Sequence, residues 1–316
     1  MSATHDAVSF DGRAMGSPLR LSVVGLYPAR ARRAWELVAG DIKATEQALS
    51  RWRAESDLSR LNATAGSGEL AAVGGRLFTF LAAASRAQRL TAGRFDPRVI
   101  MRLEQLGEHA GVALPALADE LSSDRPWLTG NGRRREVCLS APLDSGGIGK
   151  GLALRWALRA ARRAGLLGSG LLLEAGGDMV VHGEPSEGGP WQVGVEDPAG
   201  RETPMAVISV LRGAVATSST AVRRWTAGDG RTVHHLLDPA TGEPGGEGLQ
   251  AVTVSAPDPA WAEIWSKALF LAGSRGIGDA ARRRDLAAWW VEDDGSLHMT
   301  PAARQQTAWT VSERAA

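Results

Sequence analysis

The chain has 316 residues, 44% of them hydrophobic, with 36 basic and 35 acidic side chains and a net charge of +1. That length and composition can bury a sizeable core in one large or two modest domains, and the balanced charge argues against a nucleic-acid partner. Its single cysteine, Cys138, leaves no internal disulfide and no cysteine-rich metal site.

The opening residues, MSATHDAVSF, lack a basic segment followed by an apolar one, and no later apolar run approaches the ~18 residues that span a bilayer. The expectation is a soluble, cytoplasmic protein without a membrane partner. Residues 29–52 (ARARRAWELVAGDIKATEQALSRW) repeat apolar side chains at helical spacing, as do residues 76–93 (RLFTFLAAASRAQRLTAG), which end on a glycine suited to a C-cap. The first third is therefore predicted to be mostly helical.

A Gly-rich turn, DSGGIGKG (144–151), then feeds a helix with Arg155, Arg159 and Arg162 or Arg163 down one side, read as a solvated face. From about residue 166, short apolar runs alternate with turn residues: GLLLEAGGDMVVHG, WQVGVEDP, MAVISVLRGAVATSS, HHLLDPATGEP and LQAVTVSAPDP. These predict strands and hairpins. A late helix starts at Asp258 and Pro259, an N-cap followed by Pro at the first helical position. Partial segregation of helices and strands makes an α+β fold the natural expectation.

Four motifs can carry chemistry. The four glycines of DSGGIGKG open the backbone at a helix N-terminus, where free N–H groups favour an anion. It is not a Walker A loop, because Asp144 stands five residues before Gly149 and no Ser or Thr follows Lys150. EAGGD (174–178) fits a tight turn and a close ligand approach equally well. HHLLDPATG (234–242) reads either as a hairpin with His235 an ordinary strand residue or as a base or phosphate contact. Only three lysines occur, Lys43, Lys150 and Lys267, and two of them lie in motif-like stretches. In WAEIWSK, Glu263 and Lys267 are spaced for a surface ion pair, and Glu263 is equally suited to ligate a hard metal ion.

Taken in order, AMGSP, LSRWRAESDLSRLN, AGRFDP, DSGGIGKGLA, EAGGD, WQVGVEDP, AVATSS, HHLLDPATGEP and SAPDPAWAEIWSKALFLAG resemble the FAD:protein FMN transferase (ApbE) family from about Met15 to Gly273. The resemblance implies one domain over residues 1–316, a mixed sheet-and-helix sandwich with FAD in a central cleft, and residues 274–316 as a helix and strand extension. It implies magnesium-dependent cleavage of FAD, transfer of FMN to a Thr or Ser hydroxyl of an acceptor protein, and release of AMP. A non-transferring FAD-binding protein and an FAD pyrophosphatase are the alternatives.

Carried over by position, the resemblance implies that Met15 lies beside the flavin and that Trp52 stacks on it. Arg94, Phe95 and Asp96 line the cofactor, while Asp144 and Lys150 contact it. His235 sits near the pyrophosphate, where it contacts phosphate or takes the acceptor's proton. The metal falls to the Gly147 carbonyl, Glu263 and Ser266. The chain departs from the family's pattern at Lys267, where the family has Thr, at Arg155, where it commonly has Asp, and at Ser219, where it often has Gly. A charged ammonium has no lone pair and cannot ligate a metal.

Overall fold

A computed structural model describes residues 7–109, 113–115 and 126–311. The chain divides into two interleaved compact units, one formed by Met1–Lys43, Lys150–Val222 and Gly246–Ala316, the other by Ala44–Gly149 and Arg223–Gly245.

The first unit is built on an eight-stranded sheet. Its strands run, in spatial order, Ala7–Ala14, Ser17–Val24, Gly170–Ala175, Asp178–Gly183, Arg212–Ser219, Leu249–Ala256, Ala287–Glu292 and Leu297–Met299. Every neighbouring pair is antiparallel. Alternation aims Leu19, Leu21 and Val23 at one face, where they meet Ala31, Ala34, Val38 and Ile42 of the helix Pro28–Leu49 and Ala153, Leu154, Ala157 and Ala161 of the helix Gly149–Arg163. Each fully buried Leu or Ile in such a layer contributes about 1.5–3 kcal/mol. On the opposite face Val181, Val215, Trp289 and Val291 pack against Val193, Val195, Ile208 and Val210. Those last four lie on Trp191–Val195 and Ala206–Val210, which with Thr307–Thr310 form a separate three-stranded sheet.

The second unit carries the helices Asp57–Asn62, Gly75–Leu90 and Ile100–Gln105, a small sheet of Ala71–Ala72, Glu136–Leu139 and Leu128–Asn131, and the hairpin Arg224–Thr226 with Thr232–His234. Val99, Leu103, Leu106, Ala227, Val233 and Leu237 make one of its cores.

The α+β expectation holds, with one correction near the start. The first third opens on the hairpin Ala7–Ala14/Ser17–Val24, which the helical reading passed over. Its first strand lies at the sheet edge with strictly alternating exposure, and a half-exposed strand carries few apolar residues to announce it. The two long helices fall at Pro28–Leu49 and Gly75–Leu90, close to their predicted spans, and Gly93 adopts the left-handed conformation and donates to the Gln88 carbonyl at 2.8 Å. Beyond residue 273, Ala287–Glu292 is an interior strand of the large sheet. Among the described residues no helix is long and apolar enough to cross a membrane.

Candidate functional site

In the first unit, buried polar groups gather where the helices Gly149–Arg163 and Pro259–Phe270 approach each other. A Cβ on Gly151 would stand 2.5 Å from the Ala260 Cα and the Pro259 carbonyl oxygen, so only glycine permits this approach. The Gly151 amide, one of the donors that a helix start leaves unmatched, donates to Glu263 Oε2 at 2.8 Å. Lys150 Nζ donates to Asp178 Oδ2 at 2.5 Å, and the Thr217 amide donates to Asp178 Oδ1 at 3.2 Å.

Burial pushes the Glu263 carboxyl up to about 7, helped by the Asp178 charge; Lys150, the Gly151 amide and Lys267 oppose the rise. A buried carboxylate beside a second one resists ionisation for both reasons. Glu263 is buried, so its carboxylate does not lie on the protein surface, and the Lys267 charge acts on it there. Ser266 Oγ donates to the Glu263 carbonyl at 3.0 Å and shares a 2.9 Å hydrogen bond with Ser218 Oγ.

Asp258 caps the Glu263 helix as its sequence predicts, accepting from the amides of Ala260 and Trp261 at 3.1 and 3.2 Å. It also accepts from Arg155. Arg155 is thus largely buried and paired, a correction to the solvated stripe; Arg159, Arg162 and Arg163 are exposed as expected.

Two hairpin turns in this unit explain motif glycines. Met15 and Gly16 both have positive φ, +52° and +72°, in the two-residue turn of the first hairpin. This suits Gly and is unusual for Met. The Gly176–Gly177 turn of EAGGD is a second two-residue hairpin with positive φ at both positions. It delivers Asp178 to the start of its strand.

The second unit assembles another group. Asn62 brackets Leu143, donating to its carbonyl and accepting from its amide, both at 2.9 Å. The Asp144 amide donates to Pro97 O at 2.7 Å, and Asp144 Oδ1 accepts from the Gly146 amide at 3.0 Å. Gly147 follows with φ +88°. Asp96 is committed internally: it accepts from the Arg98 amide at 2.9 Å, from the Arg98 guanidinium at 2.7 Å and from Gln88 at 2.6 Å. Phe95 is 1% exposed and belongs to the interior, whereas Arg94 is exposed. His235 lies just past the end of the strand Thr232–His234, before a turn closed by the Gly242 amide on Asp238 O at 2.7 Å.

The ApbE family profile matches residues 15–290. The chain belongs to the ApbE family. ApbE relatives match nearly its whole length: the FAD:protein FMN transferase of Escherichia coli K12 is 26% identical, over 98% of this chain and 92% of the relative. That of Salmonella typhimurium LT2 is 27% identical, over 99% and 92%. The solved ApbE protein of Thermotoga maritima aligns with a TM-score of 0.84 at 26% identity, covering 96% of this chain and 100% of the other. The flavin transferase ApbE of Vibrio cholerae aligns with a TM-score of 0.80 at 23% identity, over 96% and 99%.

Within this ApbE chain, the first unit brings Lys150, Glu263 and Ser266 into one neighbourhood and adds Asp178, which the sequence reading did not single out. An acid directly after a Gly-Gly turn, in a chain with so few lysines to pair with it, was the available signal. The donors there are hard oxygens: two buried carboxylates and the hydroxyls of Ser218 and Ser266. Magnesium is held through one or two carboxylates with water and substrate phosphate completing its shell, so the donor set fits that ion. Among the described residues no group of three or more His, Cys, Asp or Glu forms a metal cage. In the second unit, Asn62 meets Leu143 and Arg51 meets Glu108, 81 and 57 residues away, contacts that nothing in their local sequence reports.

Proposed function

We propose that this protein is an FAD:protein FMN transferase: it cleaves FAD, passes FMN to a Thr or Ser hydroxyl of a cytoplasmic acceptor protein, and releases AMP. Family membership supports the reaction class. The observation that carries the assignment to particular residues is the buried cluster in which Lys150 pairs with Asp178 and the Gly151 amide holds Glu263. That cluster offers hard carboxylate oxygens beside one fixed positive charge, an arrangement suited to a divalent cation, which would in turn hold phosphate.

By the family resemblance, Met15, Trp52, Arg94, Phe95, Asp96, Asp144, Lys150 and His235 are the residues assigned to FAD. Phe95 and Asp96 act by shaping their segment, because one is enclosed and the other is engaged with Arg98 and Gln88. Glu263 and Ser266 are assigned to magnesium together with the Gly147 carbonyl. When bound, magnesium offsets charge on the phosphate oxygens and the departing AMP. The acceptor oxygen loses its proton as it bonds to the FMN phosphorus, the bond to the AMP oxygen breaks, and AMP leaves with the electron pair. Lys150 contributes a fixed positive charge to this step, and His235 takes the acceptor's proton or contacts phosphate.

The second reading, an FAD-binding protein that does not transfer, is favoured by one observation. Lys267 stands one turn from Glu263, and its charge reaches that carboxylate. Incubating the purified protein with FAD and a candidate acceptor, with and without magnesium, and separating the products distinguishes the readings. Transfer predicts AMP together with FMN covalently attached to protein. Free FMN with AMP indicates hydrolysis, and intact bound FAD indicates binding alone.

A further inference from the structure

Arg51 and Trp52 are adjacent, yet their exposure is the reverse of what their chemistry favours. The guanidinium side is buried at 3% exposure, while the indole is 52% exposed. Charged side chains are almost never enclosed unless paired, and Arg51 is paired: Nη2 donates to Glu108 Oε2 at 2.5 Å and Nε lies 3.5 Å from Asp144 Oδ1. Its guanidinium carbon also stands 4.1 Å from the centroid of the Trp52 ring, well inside cation–π range. Nη1 is buried without a hydrogen-bond partner. An unmatched buried donor costs about 1–3 kcal/mol, so stability alone is a poor explanation for an arginine here.

We propose that Arg51 is a positioning residue that sets the Trp52 ring and the Asp144 carboxylate as one preformed face for the flavin portion of FAD. This rests on the flavin reading given above. One planar cation does three things at once. It covers part of the indole, it neutralises and steers Asp144, and it is itself anchored by Glu108. Glu108 is anchored in turn by Arg223, whose Nη2 and Nε donate to Oε1 at 2.5 and 3.1 Å. Lysine cannot reproduce the arrangement, because an ammonium has no planar face and no fork. The exposed part of the ring is then a rigid apolar platform of the kind that planar aromatic ligands stack on. Preorganisation of this kind lowers the ordering cost of binding.

The test is a titration with FAD, following flavin emission at saturation as well as affinity, because a flavin stacked on an indole is quenched. Wild type should bind with quenched emission, and Trp52→Ala should bind more weakly with bright emission. Arg51→Met should bind roughly tenfold more weakly, with emission moved toward that of Trp52→Ala; Arg51→Lys should fall between Arg51→Met and wild type. Glu108 keeps Arg223 in these variants, which favours folding. If circular dichroism nevertheless shows Arg51→Met unfolded, Glu108→Gln, which loosens the anchor without touching the platform, should shift emission in the same direction. Unchanged affinity and emission in folded Arg51→Met, or in Glu108→Gln where it replaces that variant, would overturn the inference alone. Wild type that binds FAD with bright emission would remove the platform while leaving the flavin reading intact. Wild type that binds no FAD would overturn both.

Discussion

The Glu263 carboxylate accepts the Gly151 amide hydrogen at 2.8 Å across 112 residues of sequence. This bond joins the first turn of one helix to the middle of another, and it places an acid of raised proton affinity beside Asp178 and Lys150. Several consequences can be measured.

The first concerns pH. The folded Glu263 carboxyl titrates near 7 against an ordinary 4.5, so between those values the native state binds more protons than the unfolded chain. Stability contributed by this group is therefore present at low pH and is lost as pH rises toward 7. The loss amounts to roughly 3 kcal/mol, at about 1.36 kcal/mol per pKa unit. Glu263→Gln should flatten that part of the stability profile when thermal unfolding is followed from pH 4.5 to 7.5 in chelator. An identical slope in wild type and variant would show that Glu263 titrates normally.

Gly151→Ala tests the helix approach. The added methyl would meet the Ala260 Cα and the Pro259 carbonyl oxygen at 2.5 Å, and backbone cannot yield as a flexible side chain would. Overpacking of this kind costs about 1–3 kcal/mol. Thermal or urea unfolding should show that loss; a variant as stable as wild type would mean the helices separate without penalty.

Lys267→Thr should strengthen magnesium binding by roughly tenfold, since it removes a positive charge that acts on the Glu263 carboxylate and adds a hydroxyl. Calorimetric titration with magnesium checks this directly. Unchanged or weaker binding would place Lys267 outside the metal's reach.

Asp144→Ala should weaken FAD binding roughly tenfold, or ~1.4 kcal/mol, because the carboxylate that accepts the Gly146 amide and faces Arg51 disappears. Unaltered flavin affinity, measured by fluorescence, would remove Asp144 from the site.

Features governed by neighbours in the chain were legible. The Asp258–Pro259 helix start, the two long helices and most strands after residue 166 follow from capping, periodicity and turn chemistry, all of which act over a few residues. The order of the motifs pointed to the family, which the whole-length match then showed. What the spacing of WAEIWSK left open was whether Glu263 faces water. The fold decided that question by burying it.

The amino-acid sequence alone thus determined the long helices, most of the later turns and the kinship of this protein. Only tertiary structure decided which charges meet: Lys150 with Asp178, Arg155 with Asp258, and Arg51 with Glu108 and Asp144. Local propensity depends on side chains within a turn or two of each other. The protonation and partners of a buried charge depend on which groups packing brings within a few ångströms after water has been excluded, and these groups lie 28 to 112 residues apart here.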